Sequence, residues 1–86
     1  MMKNPFHPGE ILLEEFLKPA DLTQAAFAKK LGWARSRLNA FIKGKHNVTA
    51  GVALDLADAT RTTAKFWMNL QATWDLAQAI KKRRAA

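Results

Sequence analysis

Cysteine is missing from this 86-residue chain, and only two histidines, His7 and His46, are available as nitrogen ligands. Without cysteine the chain forms neither a disulfide nor a thiolate metal site. The two histidines lie far apart in sequence, and a metal site would need both of them together with carboxylates. We therefore expect no metal and no cofactor, and a fold whose stability comes from the packing of helices.

A long apolar run is missing as well. No stretch approaches the roughly 18 apolar residues that a membrane-spanning helix needs. The first ten residues hold one lysine, two prolines and one acid, and so lack the apolar centre of a secretory signal. The sequence predicts a cytoplasmic protein with no membrane partner.

The residues that an enzyme needs are poorly represented. A chain of 86 residues makes a single domain, 1–86, with little room for a catalytic cleft. Ser36 is the only serine, and it lies in an acid-free segment with only a distant histidine. A nucleophile, a base and an acid are therefore not supplied together. We predict no catalytic residue, no enzymatic activity and no small-molecule substrate.

The placement of charge is more informative than the net charge of +7. Residues 22–54 contain no acid and six cations, whereas the first 21 residues contain four acids and two lysines. The six cations are Lys29, Lys30, Arg35, Arg37, Lys43 and Lys45. An acid-free basic segment suits a polyanionic partner, because each neutralised phosphate releases counterions and a nearby carboxylate would oppose binding.

Apolar residues recur at helical spacing and no strand pattern is present, which predicts a compact all-α bundle of five helices. The first helix follows Pro8 and ends before Pro19, and the second and third cover about 24–31 and 35–43. Predicted N-caps of the second, fourth and fifth helices are Thr23, Thr49 and Thr63. The fifth helix is long, about 63–82, with a basic tail. The tail consists of Lys81, Lys82, Arg83 and Arg84.

Residues 24–43 have the pattern of a helix-turn-helix, with a small residue, Ala28, where two helices cross and Gly32 in the turn. Leu38 and Phe41 are expected to fill the angle between the two helices. Docking in the major groove brings the start of the second helix against base edges. The predicted base-reading residues are Arg35, Ser36, Arg37 and Asn39. The predicted phosphate contacts are Gln24, Lys43 and Lys45.

Four groups of short motifs follow one another between Phe6 and Leu76. They are His7-Pro8-Gly9-Glu10-Ile11-Leu12 with Glu14-Glu15-Phe16-Leu17, then Leu38-Asn39 and Gly44-Lys45, then Thr49 with Ala53-Leu54 and Leu56-Ala57, and finally Phe66-Trp67-Met68-Asn69-Leu70-Gln71. In their order and spacing they resemble those of HigA-type antitoxins, also described as virulence-associated protein I-like. These belong to the Xre and phage-repressor-like helix-turn-helix superfamily, so the resemblance implies a lambda-repressor-like DNA-binding domain.

The resemblance also implies a homodimer that binds a palindromic operator in its own promoter and neutralises a HigB-like toxin, a small basic mRNA endonuclease of the RelE-like kind. Glu14 and Glu15 on the acidic first helix are then the predicted toxin contacts, because such an RNase offers cations to pair with. Trp67 and Trp74 are candidates for the dimer interface, with packing of the fifth helix onto the body as the alternative. Two other functions stay open: a stand-alone transcriptional regulator, and a module that binds a protein or RNA.

Overall fold

The computed structural model describes residues 5–85, and most of them are helical. Five helices, named α1 to α5 in chain order, make up this part of the chain. They are α1 (Pro8–Leu12, continuing through a π-helical turn at Leu13–Leu17), α2 (Gln24–Leu31), α3 (Arg35–Ile42), α4 (Ala50–Thr60) and α5 (Ala64–Ala85). No strand occurs in residues 5–85, so the predicted all-α class is confirmed. Within the same residues, no helix combines the length and the apolarity that a membrane span requires.

Threonine side chains begin three of the helices. The Oγ1 atoms of Thr23, Thr49 and Thr63 accept hydrogen bonds from the backbone N–H three residues further on, at 3.1, 3.3 and 3.1 Å. Gly32 ends α2 in the left-handed conformation, with φ 75°, which glycine adopts without steric cost. The predicted starts of α2, α4 and α5 and the predicted turn after α2 are therefore confirmed.

The first helix is not the regular α-helix that the sequence predicts. Its second half, Leu13–Leu17, is π-helical, and the N–H of Lys18 donates to the carbonyl of Leu13 at 3.0 Å. This wider turn brings Leu12 and Leu17, which are five residues apart, onto one side of the helix, where both are buried. A regular α-helical period directs two such side chains to different sides. Packing of both leucines therefore explains the departure from the predicted geometry.

His7 caps α1 and links it to two other helices. Its Nδ1 accepts a hydrogen bond from the N–H of Gly9 at 2.9 Å. The ring contacts Phe41 and Trp74 edge to face, with centroid distances of 5.8 and 5.4 Å. Burial lowers the pKa of His7 below its ordinary value, so the ring is neutral at pH 7 and its Nδ1 can accept. His7, at the start of α1, thereby lies between α3 and α5.

Trp67 lies at the centre of the core. Its side chain has no exposed surface, and its Nε1 donates to Oγ1 of Thr62 at 2.8 Å. The ring packs against Phe16 and Phe66, with centroid distances of 5.5 and 5.2 Å. A side chain enclosed by its own chain has no surface to offer a second copy. The assignment of Trp67 to the dimer interface is therefore wrong, and only Trp74, which is half-buried, stays a candidate.

Gly9 brings α1 into direct contact with the backbone of α3. A Cβ added at Gly9 would overlap the carbonyl oxygen of Phe41, and it would lie 2.8 Å from the carbonyl carbon of Phe41 and 2.9 Å from Cα of Ile42. These are backbone atoms at the end of α3, and they cannot turn aside as a flexible side chain can. Any larger residue at this position separates α1 from α3.

We predict that Gly9→Ala lowers the free energy of unfolding by about 1–3 kcal/mol, because the added methyl group forces two packed backbones apart. Gly51→Ala is the matched control: it lies in the first turn of α4, and nothing lies within 4 Å of its added Cβ. We expect Gly51→Ala to raise the stability by about 0.4–1 kcal/mol. Urea unfolding followed by circular dichroism measures both. Wild-type stability of Gly9→Ala would contradict the close approach of α1 to α3.

Candidate nucleic-acid interface

Helices α2 and α3 are joined by the short turn that the sequence predicts, Gly32-Trp33-Ala34. The N–H of Trp33 donates to the carbonyl of Ala28 at 2.9 Å and closes the end of α2. Ala28, Leu38 and Phe41 are all buried in the core. A small side chain on α2 and larger ones on α3 thus join the two helices in the arrangement expected for residues 24–43.

One face of α3 carries polar residues at four-residue spacing. Arg35, Asn39 and Lys43, which directly follows the helix, lie on the same side because four residues make slightly more than one turn. Ser36 lies beside this row. Gln24, at the start of α2, accepts a hydrogen bond at its Oε1 from Nδ2 of Asn39 at 3.2 Å. Gln24, Arg35, Ser36 and Asn39 together line a shallow, open depression. We call these four residues the reading face.

The hydrogen bond between Gln24 and Asn39 orients both amides and leaves each of them able to bind a ligand. Asn39 keeps its Oδ1 acceptor and one Nδ2 proton, and Gln24 keeps its Nε2 donor. An amide with one acceptor and one donor matches the N6 and N7 edge of adenine. Arg35 and Ser36 are exposed beside it, so the reading face has the chemistry needed to contact base edges.

Arg37 stands apart from the reading face. Its guanidinium carbon lies 4.0 Å from the centroid of the Trp33 ring, a cation–π contact. Trp33 is buried, and its Nε1 donates to Oδ2 of Asp55 on α4 at 3.0 Å. Successive residues of an α-helix are about 100° apart, so Arg37 projects from nearly the opposite side of α3 to Asn39. The structure therefore separates Arg37 from the other three predicted base-reading residues.

The segment 43–48, which we call the α3–α4 loop, follows α3. It carries Lys43 and Lys45, both exposed, and Gly44 in the left-handed conformation with φ 81°. The far end of the loop is attached to α5, because Oε1 of Gln71 accepts a hydrogen bond from the N–H of Val48 at 2.7 Å. Both lysines predicted to contact phosphate therefore lie on a loop whose end is fixed by a buried side chain.

The acidic surface predicted to meet a toxin lies on the π-helical turn of α1. Glu14 and Glu15 are both exposed, and Oε2 of Glu14 lies 2.7 Å from Nζ of Lys18. This is the only ion pair within residues 5–85, and Glu15 takes part in none there. An exposed pair of this kind contributes little to stability, so Lys18 is readily displaced by a partner's cation.

The outer side of α5 exposes apolar side chains that were not among the predicted interface residues. Met68, Leu76 and Ile80 are 40%, 63% and 44% exposed. With Ala72 they follow a four-residue spacing, which keeps them on one side of the helix. This four-residue spacing is visible in the sequence and could have predicted an apolar surface on α5. Trp74 lies on another side of α5, half-buried against His7.

Three polar or aromatic residues that shape the site were not identified from the sequence: Gln71, Trp33 and Asp55. Gln71 occurs four residues after Trp67 and three before Trp74, within the core-facing register of α5, and that register was a usable signal. The bond between Trp33 and Asp55 joins residues 22 positions apart, and no local pattern indicates it.

Comparison with known proteins agrees with this geometry. A family model described as helix-turn-helix matches residues 13–67. Virulence-associated protein I of Dichelobacter nodosus is 39% identical over 79 residues, which cover 92% of this chain and 73% of that protein. Antitoxin HigA-1 of Vibrio cholerae serotype O1 is 39% identical over 74 residues, which cover 86% of this chain and 70% of that protein. The solved structure of Pseudomonas aeruginosa antitoxin HigA with the higBA promoter has a TM-score of 0.88 and 36% identity, covering 95% of this chain and 89% of that chain.

The fold and its reading face define the class as a helix-turn-helix protein of the DNA-binding kind. Within that class, the chain belongs to the HigA-type, virulence-associated protein I-like family, as its motifs predict.

Proposed function

We propose that this protein is an antitoxin that binds the operator of its own promoter as a homodimer, represses its operon, and neutralises a HigB-like mRNA endonuclease of the RelE-like kind. The observation that carries the DNA-binding part is the reading face, where Arg35, Ser36, Asn39 and Gln24 line one open depression in an acid-free segment. The relative from P. aeruginosa, which has the same fold, was solved with promoter DNA.

Three residues of α3 read bases in this proposal. Arg35 places its guanidinium against O6 and N7 of guanine, and Asn39 accepts from N6 and donates to N7 of adenine. Ser36, with a hydroxyl that both donates and accepts, contacts either purine. The hydrogen bond from Asn39 to Gln24 holds the asparagine amide in one orientation and so makes its contact selective.

Phosphate contacts flank these bases. Gln24 lies at the N-terminus of α2, where unpaired backbone N–H groups and the helix dipole favour an anion. Lys43 continues the row of Arg35 and Asn39, and Lys45 follows it on the α3–α4 loop. Arg37, held over Trp33, acts through its charge on the DNA backbone and not on a base.

We predict different consequences for two arginine substitutions that remove the same charge. Arg35→Ala costs about 1–3 kcal/mol at the operator and flattens the preference for one base, because it removes a contact to a base edge. Arg37→Ala weakens the operator and a shuffled duplex alike, because it removes only charge. Fluorescence anisotropy with both duplexes across a salt series measures both variants.

Equal losses of operator preference in Arg35→Ala and Arg37→Ala would contradict the separate roles of the two arginines. Wild-type protein that binds both duplexes alike, with affinity falling together as salt rises, would favour the alternative of a protein- or RNA-binding module.

Toxin binding is supported by the charge of α1, where Glu14 and Glu15 offer two carboxylates to a basic RNase. The test uses the small basic protein that is encoded by an open reading frame next to this gene. We predict that this product arrests growth when expressed alone and that wild-type antitoxin relieves the arrest. Glu14→Lys with Glu15→Lys is expected to lose that relief and to weaken toxin binding most strongly at low salt, because it turns attraction into repulsion.

Asp58→Lys, an exposed charge reversal on α4, is the control and is expected to relieve the arrest normally. Unchanged toxin affinity in the double reversal would contradict a role for the two glutamates. A neighbouring product that does not arrest growth would favour the stand-alone transcriptional regulator.

The homodimer is supported by the exposed apolar row of α5, Met68, Leu76 and Ile80, with Trp74 on another side of the same helix as a second candidate. A palindromic operator requires two reading helices about 34 Å apart, and one domain supplies only one. We predict that Leu76→Asp yields a monomer in sedimentation velocity, because the charge would be buried without a partner. Leu54→Asp, at a residue 59% exposed on α4, should stay dimeric. A dimeric Leu76→Asp would exclude this row as the interface.

A further inference from the structure

Gln71 is a polar side chain in the core-facing register of α5, and it is 5% exposed. Its Oε1 accepts from the N–H of Val48 at 2.7 Å. Its Nε2 donates to Oδ1 of Asn47 at 3.3 Å and to Oδ1 of Asp75 at 2.8 Å. Burial of an amide is unfavourable unless its hydrogen bonds are made, and here three bonds are made, two of them to the same loop.

Asp75 and the N–H of Val48 together fix the orientation of the Gln71 amide. A carboxylate only accepts hydrogen bonds, so the Nε2 of Gln71 must point towards Asp75. This orientation directs Oε1 to the opposite side, where the N–H of Val48 lies. Oε1 of Gln71 is therefore oriented to accept a hydrogen bond from the N–H of Val48.

The backbone N–H of Val48 depends on this contact. Within residues 5–85, the backbone bonds of the α3–α4 loop run from Lys43, Gly44 and Lys45 back to carbonyls of α3, and none involves the Val48 amide. Near its start the loop passes close to His7, since a Cβ added at Gly44 would lie 3.6 Å from Cγ of the His7 ring. Between these two points lie Lys45 and His46, both exposed.

We propose that Gln71 is a positioning residue for DNA binding: by holding Val48 and Asn47 from inside the core, it fixes the α3–α4 loop so that Lys43 and Lys45 meet the phosphate backbone together. The inference rests on the proposed operator binding and adds to it a residue of α5 that itself touches no DNA. Fixing the loop before binding removes the cost of ordering it on the DNA. Loss of Gln71 therefore weakens the lysine contacts without altering the reading face.

The test is a double-mutant cycle with Gln71→Met, which keeps a similar volume and removes every hydrogen bond of the side chain. It is made in the wild-type chain and in a Lys43→Ala, Lys45→Ala background, and affinity for a promoter duplex is measured by anisotropy. A residue that acts through the two lysines loses its effect when they are absent, whereas a residue that merely stabilises the fold has the same effect in both backgrounds.

We expect Gln71→Met to lower promoter affinity about tenfold in the wild-type background, since one phosphate contact contributes about that factor at 0.1 M salt. In the Lys43→Ala, Lys45→Ala background, the loss caused by Gln71→Met should be less than about twofold. The slope of log affinity against log salt should become shallower by about one unit, and the preference for promoter over shuffled duplex should be retained. Amide hydrogen exchange at Val48 should accelerate in the same variant.

Equal losses in both backgrounds, or an unchanged salt slope, would overturn the role of Gln71 and leave operator binding intact. Wild-type protein without promoter preference would instead overturn the proposed function, and the inference with it. If Gln71→Met melts below the assay temperature, Asp75→Ala replaces it in the same cycle, because Asp75 is exposed and its loss removes the 2.8 Å hydrogen bond that helps to hold the Gln71 amide. The removed charge acts in both backgrounds and drops out of the comparison.

Discussion

The contact between Gly9 and the backbone of α3 determines how the rest of the structure presents its polar surface. Phe41 and Ile42 close the helix that carries Arg35 and Asn39, and α1 rests directly on their main chain. A helix held by backbone contact cannot slide or turn without a clash, since the packed interior around it does not yield. The reading face is therefore oriented from the buried end of α3, opposite to the end that carries Arg35 and Ser36.

Two buried polar side chains, His7 and Gln71, extend this control to the α3–α4 loop. His7 lies beneath Gly44, and Gln71 holds Val48, so the loop is supported at both ends by side chains from α1 and α5. Hydrogen bonds inside a core add little net stability, but they are directional and costly to leave unmade. Here these side chains restrict the α3–α4 loop, which carries Lys43 and Lys45, to one path.

The parts of the fold that depend on neighbours in sequence were predictable, and those that depend on distant contacts were not. Threonine caps act over three residues, and the row of Arg35 and Asn39 follows from helical spacing, so both could be predicted. Helical spacing also places Arg37 nearly opposite Asn39, whereas its contact with Trp33, which is bound to Asp55 of another helix, is not encoded locally. The register of α5 indicates that Gln71 faces the core, but its bonds to Asn47 and Val48 and the π-helical turn of α1 follow from packing between elements, which no local spacing encodes.

His7 and Trp74 come from nearly opposite ends of the chain, and their rings are in contact. The helix-turn-helix, residues 24–43, is synthesised before Gln71, the side chain of α5 that holds the far end of its loop. A domain generally folds as a unit once its sequence is available. A chain synthesised only as far as α4 therefore carries Arg35 and Asn39 without Gln71 to hold the α3–α4 loop, and the loop is held at its far end only once α5 has been made.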